Sequence, residues 1–250
     1  MQINMWKLKI DLLSLRATIK RIEFALINKL RLQHIVINAA KVVNAQNDKL
    51  LRNAINHSDI VNIDGMSIVW SLRMLGYNVP ERVSGIDLFE ELLELAEKKG
   101  YKPFFFGATE EVLQKMIILL NQKYPTMEIA GYINGFYQDR NELNIAYEIR
   151  DSGADLLFLG ITSPKKEIFI DKYSDIMNIP FIMGVGGSFD IISGKTQRAP
   201  SWMQQSGLEW LYRIHQEPRR MWKRYVRTNT LFIIMFVKEL VRKSLYSGDK

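Results

Sequence analysis

The chain has 250 residues, of which 47% are hydrophobic and 24% charged; that is enough apolar material for a substantial core and too much for a disordered chain. It contains no cysteine, which excludes a disulfide scaffold, a thiolate zinc site and a thiol nucleophile, and suits a cytoplasmic setting. The net charge is +7, and residues 213–250, with ten basic and three acidic side chains, carry all of it, so a neutral body bears a tail suited to phosphate, nucleic acid or lipid headgroups.

At the N-terminus, Lys7, Lys9, Asp11, Arg16 and Lys20 interrupt any apolar run, so no signal peptide is expected there. His34–Ile37 reads as the first strand, followed by a helix from about Ala39 to Ile55. Asp59–Ile63 is the next strand, and a helix starts after Asp64-Gly65. Ser84 is placed to cap a helix with Ile86, Phe89, Leu92, Leu93 and Ala96 at helical spacing, and Gly100 to end it. Lys102–Phe106 reads as a strand closing at Gly107. Thr109 then caps a helix carrying Val112, Leu113, Met116, Ile117 and Leu120 on one stripe. Glu128–Tyr132 follows as a strand, then a helix near Glu142–Asp151. Asp155–Leu159 is an apolar strand ending in Gly160, Ser163-Pro164 opens another helix, and Phe181–Val185 runs into Gly186-Gly187.

Near-continuous apolar strands alternating with helices imply a parallel sheet covered on both faces, hence a doubly wound, mainly parallel α/β domain. After about Pro200 the pattern turns helical and basic. The expected organisation is therefore a Rossmann-like core over residues 1–200 and a helical, basic C-terminal appendage over 201–250. The longest apolar run, Leu231–Val237, falls far short of the roughly 20 residues a spanning helix needs.

In such a sheet, ligands bind at the carboxyl ends of the strands. Those ends carry Asn38, Asp64-Gly65, Gly107, Gly131 with Gly135, Gly160, and Gly184, Gly186 and Gly187. Glycines here let a backbone approach a nucleotide closely, or simply form tight turns. Asp64 ends a strand ahead of a glycine: it is placed either to serve as a general base or to cap the following helix. Arg82, read alone, is a surface arginine. There is no GxxxxGK[ST] and no GxSxG. Gly184-Val185-Gly186-Gly187-Ser188-Phe189 lacks the third glycine of a dinucleotide fingerprint. No Asp-x-Asp is present to hold a metal against a diphosphate, and His34, His57 and His215 have no metal-ligand spacing, so no metal site is expected. A bound diphosphate would be met by backbone N–H groups and by Arg and Lys.

The run Glu217–Arg227 combines guanidinium groups with Trp222 and Tyr225, a composition suited to phosphate and to an interface. Leu231–Tyr246 mixes apolar residues with Lys238, Arg242 and Lys243. It is suited equally to lying in a membrane interface and to packing on its own domain.

A family resemblance is carried by an ordered set of segments: Asn38–Lys41, Asn62–Trp70, Glu81–Leu88, Phe106–Ala108, Gly131–Phe136, Leu159–Glu167, Gly184–Asp190, and Arg198–Pro200 leading to Gly207–Arg213. Together, over roughly residues 5–227, they resemble the WecG/TagA/CpsF glycosyltransferases. The resemblance implies an inverting, metal-independent transferase without a cofactor. It would move a hexosyl or N-acetylhexosaminyl group from a UDP-sugar to a lipid-linked diphosphate sugar, for teichoic acid, exopolysaccharide or related polymers. It further implies Asp64 as the base, with Arg82 and Asn38 as the other catalytic residues. As substrate-binding residues it points to Gly107, Asn134, Gly135, Phe136, Gly160, Lys165, Lys166, Gly186, Asp190, Arg213, Arg219, Arg220 and Arg224. The implied partners are the UDP-sugar, the lipid-linked acceptor and an anionic membrane surface at the inner face of the cell membrane; no nucleic acid is implied, and a homo-oligomer is left open. Many family members carry Gln where this chain has Lys166, a departure that bears on the sugar. Two readings from other classes stand beside it: a non-catalytic nucleotide or nucleic-acid binding module using the tail, and a nicotinamide-dependent oxidoreductase.

Overall fold

The computed structural model describes residues 1–137 and 141–247, apart from the side chains of Arg220, Met221, Arg224, Tyr246 and Ser247. The chain opens with an antiparallel hairpin, β1 (Gln2–Met5) and β2 (Leu8–Asp11), for which the sequence offered no sign. Its turn residues, Trp6 and Lys7, both have positive φ (51° and 62°), as a primed two-residue turn requires. They are not the Asn-Gly type that announces such a turn. Tertiary packing fixes it instead: Trp6 is buried, with its ring edge-on to Phe232 at 5.2 Å.

Helix α1 (Leu15–Ile27) is capped by Ser14, whose Oγ accepts from the Ala17 N–H. Then come β3 (Leu32–Ile37), α2 (Ala39–Asn47), α3 (Lys49–His57), β4 (Ile60–Ile63), α4 (Met66–Met74), α5 (Gly85–Lys99), β5 (Pro103–Gly107), α6 (Glu110–Lys123), β6 (Gly131–Ile133), α7 (Glu142–Asp151), β7 (Leu156–Gly160), α8 (Lys165–Met177), β8 (Phe181–Gly184) and α9 (Ser188–Ile192). The helix expected over Ala39–Ile55 is two helices. Asp48 sits between them in an extended conformation, and its Oδ1 accepts from Leu51 N at 3.0 Å, so cap chemistry ends one helix and starts the next. The strand expected over Glu128–Tyr132 shrinks to the three residues of β6, an edge strand paired only with β5.

The six strands β3–β8 form one parallel sheet in the order β4-β3-β8-β7-β5-β6, flanked by helices on both faces, a Rossmann-like fold. Alternation along each strand divides the core. Phe105, Phe158, Phe181 and Met183 pack under α5, α6 and α9 on one face. Phe104, Phe106, Leu157, Leu159 and Ile182 pack under α7 and α8 on the other. Ile35, Ile37, Val61 and Ile63 join the hairpin, α2 and α4 in a further cluster.

After residue 200 the chain is entirely helical through α10 (Ser201–Gln205), α11 (Glu209–Gln216) and α12 (Pro218–Ser247). Of the two placements open to the last helix, packing on its own domain accounts for one face. Phe232 is 3% exposed, Met235, Phe236 and Leu240 cover the hairpin cluster, and Lys243 Nζ donates to the Leu75 carbonyl. The opposite face is exposed and apolar at Val226, Ile233, Ile234, Val237 and Val241. No helix among the described residues is long and apolar enough to cross a membrane.

One buried polar group predicts how stability changes with pH. His34, on β3, donates from Nε2 to Asn62 Oδ1 (2.8 Å), which also accepts from Thr18 Oγ1 (3.1 Å). Burial, aided by the Lys41 charge and opposed by the Asn62 bond, pushes the His34 pKa down from 6.5 to about 4. The folded protein therefore holds a neutral ring that the unfolded chain protonates, and stability is lost as pH falls from 6.5 toward 4. By pH 5 the loss is about 2 kcal/mol. Urea unfolding at pH 7 and pH 5 should show it in the wild type and not in His34→Gln; equal losses in both would remove His34 as the cause.

Candidate active site

The carboxyl ends of β3 and β4 meet the appendage in a cleft of about 280 Å³. From the core come Asn38, Asp64, Gly65, Met66, Trp70 and Arg82; from the appendage come Gly207, Glu209, Trp210, Arg213, Tyr225, Asn229 and Phe232. Gly207 makes the junction possible: its φ is +68°, and a Cβ there would fall 2.7 Å from the Trp70 ring.

Asp64 follows β4, with its N–H bonded to the Ile37 carbonyl at 2.8 Å, so the sheet fixes its backbone. It does not cap the next helix. The cap position of α4 is Gly65, which has no side-chain cap bond. The carboxyl turns instead toward the N-terminus of α5, where the Gly85 N–H donates to it. Burial raises its pKa, the Arg82 charge pulls it down, Glu209 raises it, and the Gly85 bond and Arg213 lower it; the balance lies above the ordinary carboxylate range. A carboxylate so placed accepts a proton more readily than a solvated one.

Arg82 stands in the loop before α5, its side chain 14% exposed, and Nη1 donates to Glu209 Oε2 at 2.9 Å. Arg213 Nη2 approaches the other Glu209 oxygen, Oε1, at 3.4 Å. Asn38 caps α2, its Oδ1 accepting from Lys41 N at 3.1 Å, so its amide Nδ2 is the group it can offer a ligand.

The other predicted residues lie elsewhere. Gly107, with φ +142°, packs on the backbone of Gly160: a Cβ would fall 2.4 Å from the Gly160 carbonyl carbon. A Cβ on Gly160 would meet the Phe189 ring at 2.4 Å, so close strand packing accounts for both glycines. Gly135 N–H bonds the Ala108 carbonyl. Asn134 Nδ2 donates to Glu110 Oε2, Phe136 is 79% exposed, and Lys165 Nζ lies 4.2 Å from the Tyr137 ring centroid. These residues cluster at the ends of β5, β6 and β7. Asp190 pairs with Lys195. Gly186 turns with φ +58° beside Lys166 Nζ. Lys166 is buried at the edge of β8 and, with Lys41, flanks Glu167 Oε1 at 3.2 and 2.8 Å. Burial raises the Glu167 pKa, but the charges of Lys41 and Lys166 outweigh it and hold it at about 2. Arg219 is exposed on α12; Arg220 and Arg224 lie outside the described side chains.

Sequence reasoning missed Glu209 and the wall formed by Trp70, Trp210 and Asn229. Glu209 lies within Gly207–Arg213, just ahead of the basic run, and nothing local marks it as facing two arginines 127 and 4 residues away.

Among the described residues no three His, Cys, Asp or Glu side chains converge as a metal-ligand set. The model of the glycosyl transferase WecG/TagA/CpsF family matches residues 3–246. The chain belongs to this family. It is therefore a glycosyltransferase. It is 34% identical over 194 residues to the N-acetylglucosaminyldiphosphoundecaprenol N-acetyl-beta-D-mannosaminyltransferase of Bacillus subtilis, spanning 78% of this chain and 75% of that protein. It is 36% identical over 170 residues to the enzyme of the same name from Bacillus spizizenii, spanning 68% of this chain and 65% of the relative.

Proposed function

We propose that the protein transfers an N-acetylmannosaminyl-type group from a UDP-sugar to a lipid-linked GlcNAc diphosphate, with inversion and without a metal. The observation that carries this is Asp64: a carboxyl with a raised pKa at a strand end, in a cleft shared with two arginines. The names of the two Bacillus relatives support the choice of sugar and acceptor.

In this reading the acceptor hydroxyl gives its proton to Asp64 as its oxygen bonds to the anomeric carbon. The bond from that carbon to the UDP oxygen breaks, and UDP leaves with the electron pair. Attack comes from the face opposite UDP, through an oxocarbenium-like transition state. Arg82 and Arg213 meet the negative charge that develops on the diphosphate. Asn38 offers its amide to the sugar. Docking of α10–α12 excludes water that would hydrolyse the donor. The exposed apolar stripe of α12, with Lys238 and Arg242 beside it, rests on the anionic inner face of the membrane, where the acceptor resides.

The test is UDP release from UDP-ManNAc in the presence of EDTA, with and without a prenyl-diphosphate GlcNAc analogue, and NMR of the product linkage. The expected result is acceptor-dependent UDP release and an inverted anomeric centre. Release independent of the acceptor, or a retained configuration, would contradict the reading.

A further inference from the structure

Glu209 has no part in the transfer described above, yet its ion pair with Arg82 ties the appendage to the catalytic edge of the core. Each of its carboxylate oxygens meets a different arginine: Oε2 takes Arg82 Nη1 at 2.9 Å, and Oε1 faces Arg213 Nη2 at 3.4 Å. Arg82 comes from the core and Arg213 from α11, so this carboxylate spans the junction. Its side chain is 18% exposed, dry enough for the bond to Arg82 to count for more than a surface pair. We propose that Glu209 is a positioning residue for the transfer, holding the Arg82 and Arg213 guanidinium groups together at the cleft and keeping Arg82 from engaging Asp64 directly. This rests on the reading of Asp64 as the base.

The surrounding charges fit such a role. Asp64 faces Arg82 from the loop before α5, the Gly85 N–H of α5, and Glu209 and Arg213 of α11. Arg82 faces Asp64, Glu209 and Asp87. Glu209 faces Arg82, Arg213 and Arg198, and Arg198 is itself bound to Asp87 at 2.5 Å. Carboxylates and guanidinium groups thus alternate in the order Asp64, Arg82, Glu209, Arg213. The two acids are driven apart. Burial pushes the Glu209 carboxyl up, but the Arg82 bond and the charges of Arg213, Arg82 and Arg198 outweigh it and hold it below the ordinary range. Asp64 lies above that range. Two neighbouring carboxylates separated in this way divide the work: one exchanges protons, the other stays ionised. A permanently charged Glu209 occupies Arg82, leaving less of that guanidinium charge to weaken Asp64 as a base.

The experiment uses the full chain with UDP-ManNAc and the prenyl-diphosphate GlcNAc analogue, and follows kcat/KM against pH. Glu209→Gln keeps the shape and loses the charge. It is expected to lower turnover at least about tenfold and to move the acid limb down by about half a pH unit or more, because Arg82 then acts on Asp64 alone. Glu209→Asp, charged but one methylene shorter, is expected to lose turnover while leaving the acid limb in place. That contrast separates a charge effect from a packing effect. Wild-type turnover in either variant, or an acid limb unmoved in Glu209→Gln, would overturn the inference. Asp64→Asn in parallel keeps the two failures apart. If Asp64→Asn is inactive and Glu209→Gln behaves as wild type, only the role of Glu209 falls. If Asp64→Asn is fully active, the base assignment falls and this inference with it.

Discussion

Replacing Asp64 by asparagine is expected to lower kcat about 10²–10⁴-fold, the usual contribution of a positioned general base, while UDP binds no more weakly than to the wild type. Asparagine keeps the size of the side chain and an acceptor for the Gly85 N–H, but it cannot take a proton from the incoming hydroxyl. It also removes a negative charge near the place where the diphosphate is to sit, so nucleotide affinity has no reason to fall. The sign of the pH dependence follows from the raised pKa. Burial is the largest cause, and it favours the neutral acid. The wild-type rate should therefore fall as pH drops through a value above the ordinary carboxylate range, and that limb should be absent from the residual rate of the variant. Calorimetric UDP titration together with the pH–rate profile checks both parts. A variant with normal turnover, or one that keeps the same acid limb, would take the base role from Asp64.

Phe232→Ala tests the appendage. The ring is 3% exposed, lies edge-on to Trp6 and also contributes to the cleft wall. Truncating a buried phenylalanine costs about 3–5 kcal/mol. Here the loss falls on the docking of α12 against α2 and the hairpin, leaving the sheet core intact, so local opening is the expected outcome. Hydrogen exchange should show α11 and α12 losing protection well before β3–β8, and turnover should fall in step as Glu209 and Arg213 leave Arg82. Unchanged protection with unchanged turnover would mean that the helix contributes nothing to the closed cleft.

The parallel sheet was legible because its strands are near-continuously apolar, as burial on both faces requires, and because Thr109 and Gly100 mark helix ends in ways that local chemistry explains; Ser84 holds the cap position of α5 without a side-chain bond. The hairpin was not legible. Strands of four residues carry little periodicity, and its Trp-Lys turn is held by Phe232 from the far end of the chain. In the site, Asp64 stood out because a strand-end acid before glycine is a local feature. That it leaves the helix cap to Gly65 is decided by α5, which begins 21 residues on. Gly107 and Gly160 looked like ligand-facing turns, but much of their reason is each other and Phe189, a contact between strand ends that no single segment encodes. Lys166 departs from the Gln of many family members, and its ammonium lies 3.2 Å from Glu167 Oε1, a contact the segment alone does not reveal. Glu209 was hidden for the same reason as the hairpin: its meaning depends on Arg82, 127 residues away.

The most direct measurement is a crystal structure of the full chain with UDP and the prenyl-diphosphate GlcNAc analogue bound together. The account predicts the acceptor hydroxyl within roughly 2.6–3.2 Å of an Asp64 carboxylate oxygen, and a diphosphate against Arg82 and Arg213. An acceptor hydroxyl facing another residue, or both diphosphates seated away from those two arginines, would contradict it.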